Sequence, residues 1–423
     1  MRLLIPLFAA LVLLCLCVAP VGANEELQDG AGLKLEYFES EHYRLGTNID
    51  EATSREYSRV LEAMWPLLVK FFGDEPRLKK NERLTVFFLD SRENWHAKLT
   101  EDGVGIPVGA GGYYWPGNRC VYLFTQPTLY NSRQLLIHEA MHQFHFLAKC
   151  NNTGPRDNWY TEGVVEYLSR HHWDGEELSL GVIPFCSLAD YPKKALDLFD
   201  MPDYDFAGMI TSERASARPE QWALVRYLVA EGDPKKWAAL CKKLDGGQDA
   251  RNNFKKYFGD PDKLKPRIHE WLKTQQEPFV PVWNEWQGQG ANACMGTAPT
   301  TYSMCRTRED ADSVAVDVRI PKEGNWQGGV LVYFDSTDDY AVFMVNQAGD
   351  WLVTRGGKSW STSASGKVEP KKEGSYRLKG ERDGANIKLS IDDVEVGTVE
   401  LPKSPMGVCL RNCTLEFRRI EWK

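Results

Sequence analysis

Near residue 280 the helical spacing of apolar residues stops and does not return, so this chain of 423 residues must build two kinds of structure. Before that point strand and helix signals alternate. Tyr57, Val60, Leu61, Met64, Leu68 and Phe71 recur at the helical interval, with Pro66 inside the stretch. Leu84–Leu89 is a continuous apolar run with β-branched and aromatic residues, which predicts a buried strand. Tyr113–Trp115 and Cys120–Phe124 flank a Pro116-Gly117-Asn118 turn and predict a hairpin. Asn131 or Ser132 is placed to cap a helix carrying Leu135, Leu136, Ala140, Met141 and Phe144. Further helices are predicted at 160–170, 219–231, 235–244 and 264–274. After residue 280 eight short segments read as strands, and several alternate: Val314, Val316, Val318 and Ile320 stand against Ala315, Asp317 and Arg319. That spacing predicts an antiparallel sandwich. The expected fold class is an α+β domain over residues 24–278 followed by an all-β antiparallel sandwich over 279–423.

The N-terminus carries an address. Met1-Arg2 precede an uncharged run from Leu3 to Val18, and Val21-Gly22-Ala23 supply small residues at its exit. A basic start, an apolar stretch and a small-residue exit predict a cleaved secretory signal at 1–23, not a membrane span. The mature chain is then secreted, periplasmic or held at the cell surface. Export also suits the eight cysteines that remain, which an oxidising compartment can pair. Cys294 and Cys305 are candidate partners; Cys409 and Cys413 can pair only where Arg411-Asn412 turns the chain. A net charge of −8 excludes nucleic acid as the main partner, because phosphate binding needs a basic surface.

One constellation carries chemistry. In His138-Glu139-Ala140-Met141-His142 the two imidazoles are four residues apart, on one face of a helix, and can reach one metal ion. Two neutral imidazoles and a carboxylate suit Zn²⁺ and leave a fourth position for water, with Glu139 placed to take that water's proton. Twenty residues past His142, Glu162 and Glu166 again share a helix face, in Trp159-Tyr160-Thr161-Glu162-Gly163-Val164-Val165-Glu166-Tyr167. Glu162 is assigned as third ligand. Glu166 is assigned to the outward N–H of a ligating histidine. Apolar neighbours bury this helix, and a buried acid needs a partner.

These two stretches together resemble the gluzincin zinc metallopeptidases, specifically the peptidase-MA-like branch, over about residues 33–275. The resemblance implies a zincin-like domain that hydrolyses peptide bonds in a peptide or protein substrate. It makes His138, His142 and Glu162 the zinc ligands and Glu139 the general base. It also implies that Gly111, Gly112 and Tyr113 lie on an edge strand that binds extended peptide. Val165 departs from the small residue common at its position. The resemblance further implies a tyrosine or histidine opposite the scissile carbonyl, for which Tyr191, Tyr204 and Tyr227 are candidates.

The remaining histidines have plainer readings. His145 can substitute as a ligand but is more ordinary as a core residue. His171 and His172, at the end of the second motif helix, can sit near the site. The strand pattern after residue 280 resembles concanavalin-like or laminin-G-like sandwiches, including the 3-keto-disaccharide hydrolase family. Trp326, Tyr340, Trp351 and Trp360 can stack on sugar rings, so the alternative function is an exported glycan- or protein-binding protein with a structural or inactive zincin site. Paired-carboxylate glycoside hydrolysis has little support, since Asp335, Asp338 and Asp339 cluster in apparent turns.

Overall fold

The structure is a computed structural model and describes residues 33–423 except Val108, Leu188 and Asn284. The expected signal at 1–23 lies outside the described residues. The chain opens with β1 (Glu36–Glu39), β2 (Tyr43–Thr47), α1 (Glu51–Phe72), β3 (Leu84–Leu89), α2 (Arg92–Glu101), β4 (Gly112–Trp115), β5 (Cys120–Phe124) and α3 (Leu129–Lys149). The strands make one sheet in the order β1-β2-β3-β5-β4; β2, β3 and β5 run parallel, and β1 and β4 are antiparallel edges. The apolar run of β3 is central because it is buried on both faces, whereas an edge strand has to tolerate water. Tyr57, Val60, Leu61, Met64 and Leu68 of α1 join one core with Leu136, Ile137, Ala140, Met141 and Phe144 of α3, as their spacing predicts. Thr128, rather than Asn131 or Ser132, caps α3, accepting the Asn131 N–H at 3.0 Å and starting the helix a turn early.

Helices dominate next. α4 (Asn158–Ser169) is followed by a small hairpin of β6 (His171–Trp173) and β7 (Leu178–Leu180). Then come α5 (Tyr191–Phe199), α6 (Phe206–Ile210), α7 (Arg218–Ala230), α8 (Pro234–Asp245), α9 (Ala250–Phe258) and α10 (Pro261–Leu272). Gly163 explains how closely α4 and α7 pack. A Cβ there would fall 2.8 Å from the Gln221 carbonyl oxygen and 2.7 Å from Val225 Cγ2.

The second half is all strand: β8 (Phe279–Pro281), β9 (Glu285–Gly290), β10 (Ala293–Thr307), β11 (Ser313–Arg319), β12 (Gln327–Ser336), β13 (Asp339–Asn346), β14 (Asp350–Gly357), β15 (Ser361–Lys367), β16 (Ser375–Asp383), β17 (Asn386–Ile391), β18 (Val394–Glu400) and β19 (Gly407–Trp422). They follow the path β15-β14-β13-β12-β19-β11-β16-β17-β18, with β10 on β19 and β8 and β9 on β10. β19 pairs with β12 through residues 407–410 and with β11 through 417–422. One long strand therefore serves both layers of the sandwich. β10 bends with it: pairing breaks between Ala298–Cys413 and Tyr302–Arg411, and Asn412 adopts φ 55°. The chain is thus an α+β half followed by an all-β sandwich, and the two halves interlock. Phe185, from the segment after β7, stacks on Phe279 of β8 at 4.4 Å, and the Tyr130 N–H donates to Gln287 at 2.6 Å.

The expected disulfides are absent: all eight described cysteines are free. Cys294 and Cys305 sit on the two arms of bent β10 and face Cys186 in the sandwich core. Asn412 does turn the chain between Cys409 and Cys413, but Cys409 packs with Tyr302 and Met304 while Cys413 donates to the Gln327 carbonyl at 3.6 Å. Among the described residues no helix is long and apolar enough to cross a membrane.

Candidate metal centre

α3 and α4 carry the motif residues and present them to each other. His138 Nε2 and His142 Nε2 lie 3.2 Å apart. Glu162 completes a triangle, with Oε2 3.4 Å from His138 Nε2 and Oε1 3.5 Å from His142 Nε2. Zinc bonded at about 2.0–2.1 Å in tetrahedral geometry separates its ligand atoms by roughly 3.3 Å. The observed spacings are close to that value, with the two glutamate distances ending on different oxygens, so the donor set fits the ion once the carboxylate turns to present one oxygen or both. Glu162 Oε2 is also buried with no hydrogen-bond donor, as is His142 Nδ1. A cation would satisfy the former.

The electrostatics favour positive charge. Burial by itself would raise the Glu162 carboxyl, but His142 and His138 hold it far below the ordinary carboxylate range. Burial opposes charging of His142, and the Glu162 and Glu139 carboxylates reverse that and raise it. Glu166 is 1% exposed. Its Oε1 accepts from Arg218 Nη1 at 2.8 Å and lies 3.5 Å from His138 Nδ1, while Oε2 accepts from the Tyr191 hydroxyl at 3.0 Å. Burial would raise its carboxyl too, yet the nearby His138, Arg218 and Arg170 hold it down. Glu166 Oε1 therefore lies on the Nδ1 side of the His138 ring, away from Glu162.

Glu139 faces the edge of the first sheet. A Cβ on Gly112 would fall 2.7 Å from Glu139 Cγ and 3.1 Å from its Oε1, so β4 runs directly past this carboxylate. Gly111 precedes the strand, with Gln126 and Leu135 nearest its missing Cβ, and Tyr113 is half-buried close enough to Glu139 for burial and that charge to raise its hydroxyl. On its other side β4 has no strand neighbour among the described residues.

Other expected participants lie elsewhere. His145 bonds to Asp245 and does not join the triangle. His171 and His172 belong to β6 rather than to a helix end; His171 is stacked on Tyr130 at 4.6 Å, and burial depresses it to about 3. Tyr191 is held by Glu166, Tyr204 bonds to Glu220, and Tyr227 packs on Trp271 at 5.4 Å. Arg218 was not anticipated. It is 55% exposed and close enough to Glu166, Glu162 and Glu139 to feel all three carboxylates. Its only sequence signal is that it opens the helix against which Gly163 packs. In the sandwich, Trp326, Tyr340 and Trp351 are buried, and Trp360 alone of the four aromatic candidates is exposed.

No protein-family model matches the chain, and no curated protein matches it significantly. Among solved structures it is similar to the carbohydrate-binding module CBM66 from Bacillus subtilis, at 18% identity and TM-score 0.30 over 34% of this chain and 93% of the module. It is also similar to Bacillus licheniformis β-glucanase, at 9% identity and TM-score 0.25 over 31% of this chain and 78% of the enzyme. Sheep galectin-11 gives 11% identity and TM-score 0.23 over 34% and 99% of the two chains. Likenesses this slight leave the functional reading to the site's own residues.

Proposed function

We propose that the chain is an exported zinc-dependent peptide hydrolase of the gluzincin type, with a zincin-like domain ahead of the sandwich. The observation that carries this reading is the His138–His142–Glu162 cluster, whose donor set and spacings suit one zinc ion. Zinc bound there supplies Lewis acidity toward a peptide carbonyl and makes water more acidic. Glu139 accepts the proton of the attacking water and returns it to the leaving amine. Glu166 fixes the orientation of His138. The open edge of β4, from Gly112, pairs with an extended peptide, and the missing side chain of Gly112 lets that strand approach Glu139. Arg218 offers a positive group beside these carboxylates.

The test compares wild type with Glu139→Gln for zinc content and for cleavage of a proteome-derived peptide mixture. Zinc retained with cleavage abolished is the expected result. Protein purified without chelator that carries no zinc refutes the reading.

One observation favours a second activity. Trp360 is 55% exposed and stacks on Tyr302 at 5.0 Å and 27°, edge-on to Tyr340 at 6.1 Å. Such a platform suits the apolar face of a sugar ring. It supports glycan binding by the sandwich, beside the hydrolase or in its place. Glycan-array binding by the full chain that is lost in Trp360→Ala would establish it, and binding unchanged in that variant would remove it.

A further inference from the structure

A second set of metal-binding side chains meets where α3 ends. His145 is fully buried, its ring stacked on Phe72 at 4.6 Å and edge-on to Tyr160 at 5.7 Å. Its Nε2 lies 2.8 Å from Oδ1 of Asp245, whose side chain is 6% exposed at the end of α8. Cys150, the residue that terminates α3, places Sγ 3.7 Å from the same oxygen. One ligand atom from each of the three lies within 4.8 Å of the others. The Tyr160 hydroxyl is 3.0 Å from that oxygen as well, with the Cys241 thiol beside it one turn before Asp245 on α8.

A buried histidine–aspartate pair is the plain explanation, and it covers only part of this. It requires no thiol. What it leaves out is the make-up of the cluster: an imidazole and a thiol from the end of α3 and a carboxylate from α8, all buried, bring one ligand atom each to within 4.8 Å of the others, with a phenol from α4 beside them. That is the donor set and the spread that a tetrahedral ion needs. Zinc bonds of about 2.0–2.3 Å put mixed ligand atoms roughly 3.3–3.7 Å apart. The sulfur–oxygen spacing already has that value, and the nitrogen–oxygen spacing has to open by about 0.5 Å.

The geometry points to a second, structural metal site in which His145, Cys150 and Asp245 hold zinc or another thiophilic divalent cation, with the Tyr160 hydroxyl closing the fourth side. Thiolate with imidazole selects such ions over magnesium or calcium. The Cys150 thiol gives its proton to solvent as the cation binds, and the thiolate and the Asp245 carboxylate then offset the dication. The side chains leave no opening for substrate. The ion's work is mechanical: it ties the end of α3, whose middle carries His138 and His142, to α8. The inference does not depend on the catalytic reading of the first centre.

Cobalt exchange into the full-length protein separates the two centres. A thiolate-to-cobalt charge-transfer band in the near ultraviolet is expected from the second site and not from two imidazoles and a carboxylate. The band should vanish in Cys150→Ser and persist in His142→Ala, with each variant holding one ion fewer than wild type. The wild-type spectrum needs no variant to fold. Absence of the band in wild type, or its persistence in Cys150→Ser, overturns the proposal. A single ion per chain with the band retained would instead mean that the first centre fails and the second stands.

Discussion

A methyl group added at Gly112 tests the proposed chemistry without touching a ligand. In Gly112→Ala the new Cβ would fall 2.7 Å from Glu139 Cγ, where ordinary contact begins at 3.4 Å, so something must move by about 0.7 Å. β4 is held by its pairing with β5, where Gly112 faces Leu123. The flexible carboxylate therefore yields. A misplacement near 1 Å of a group that must meet a reacting proton costs about 100-fold in rate, or about 2.7 kcal/mol at 1.36 kcal/mol per tenfold. Alanine is no worse than glycine in a strand, and the group that must move is a side chain rather than backbone, so the melting temperature should fall less than in Gly163→Ala. The measurement is kcat/KM on a peptide chosen from the cleavage profile, with zinc content and melting temperature recorded on the same preparation. A rate within about threefold of wild type, with zinc retained, would refute the placement of Glu139 as the base beside β4. Loss of rate together with loss of zinc would refute the claim that the strand acts through Glu139 alone.

Three further outcomes follow from packing and charge. Gly163→Ala should destabilise the fold by about 1–3 kcal/mol, because its Cβ meets the Gln221 carbonyl, a backbone atom that cannot step aside; chemical denaturation reads this. Burial, only partly opposed by the Ser187 hydrogen bond, pushes the Glu277 carboxyl up to about 8, so the folded state holds that proton more tightly than the unfolded chain does. The resulting stability is full below the ordinary value near 4.5 and is lost as pH rises through about 8. Melting temperatures should accordingly drop on the alkaline side, and Glu277→Gln should flatten that slope. Glu166→Gln should weaken zinc retention by roughly 10- to 100-fold without removing a ligand, measured by competition with a chelator.

The metal triangle was legible because its two halves are local. A four-residue spacing fixes a shared helix face whatever the rest of the chain does, and this held for His138 with His142 and for Glu162 with Glu166. What required the folded chain was everything that reaches the triangle from a distance. Arg218 lies 52 residues from Glu166, and its approach depends on α7 pressing against Gly163. In the sandwich, alternation exposed the strands with one apolar face, such as β11. It missed β15, whose Ser361–Lys367 sequence is almost wholly polar and exposed on an edge. It also missed β10, where glycine, proline and threonine accompany the bend. Aromatic residues were uninformative for the same reason: Trp326, Trp351 and Trp360 look alike in sequence, and only the fold leaves one of them in water. The short helices α5, α6 and α9 were unread although Asp190, Asp205 and Asp249 cap them, because nine or five residues are too few to show a period.

Charge around the triangle makes the strongest internal argument for a cation. Glu139, Glu162 and Glu166 gather about two imidazoles, and Arg218 is bonded to the outermost of the three. Arg170 as well as Arg218 acts on Glu166, which leaves Glu139 and Glu162 to the imidazoles. The two Nε2 atoms face each other at 3.2 Å, so a proton on either ring is set against the other. One divalent ion takes a lone pair from each imidazole and offsets the carboxylate beside them. The arrangement is costly as a hydrogen-bonded core and economical as a ligand set, and zinc content in the wild-type protein separates those two accounts.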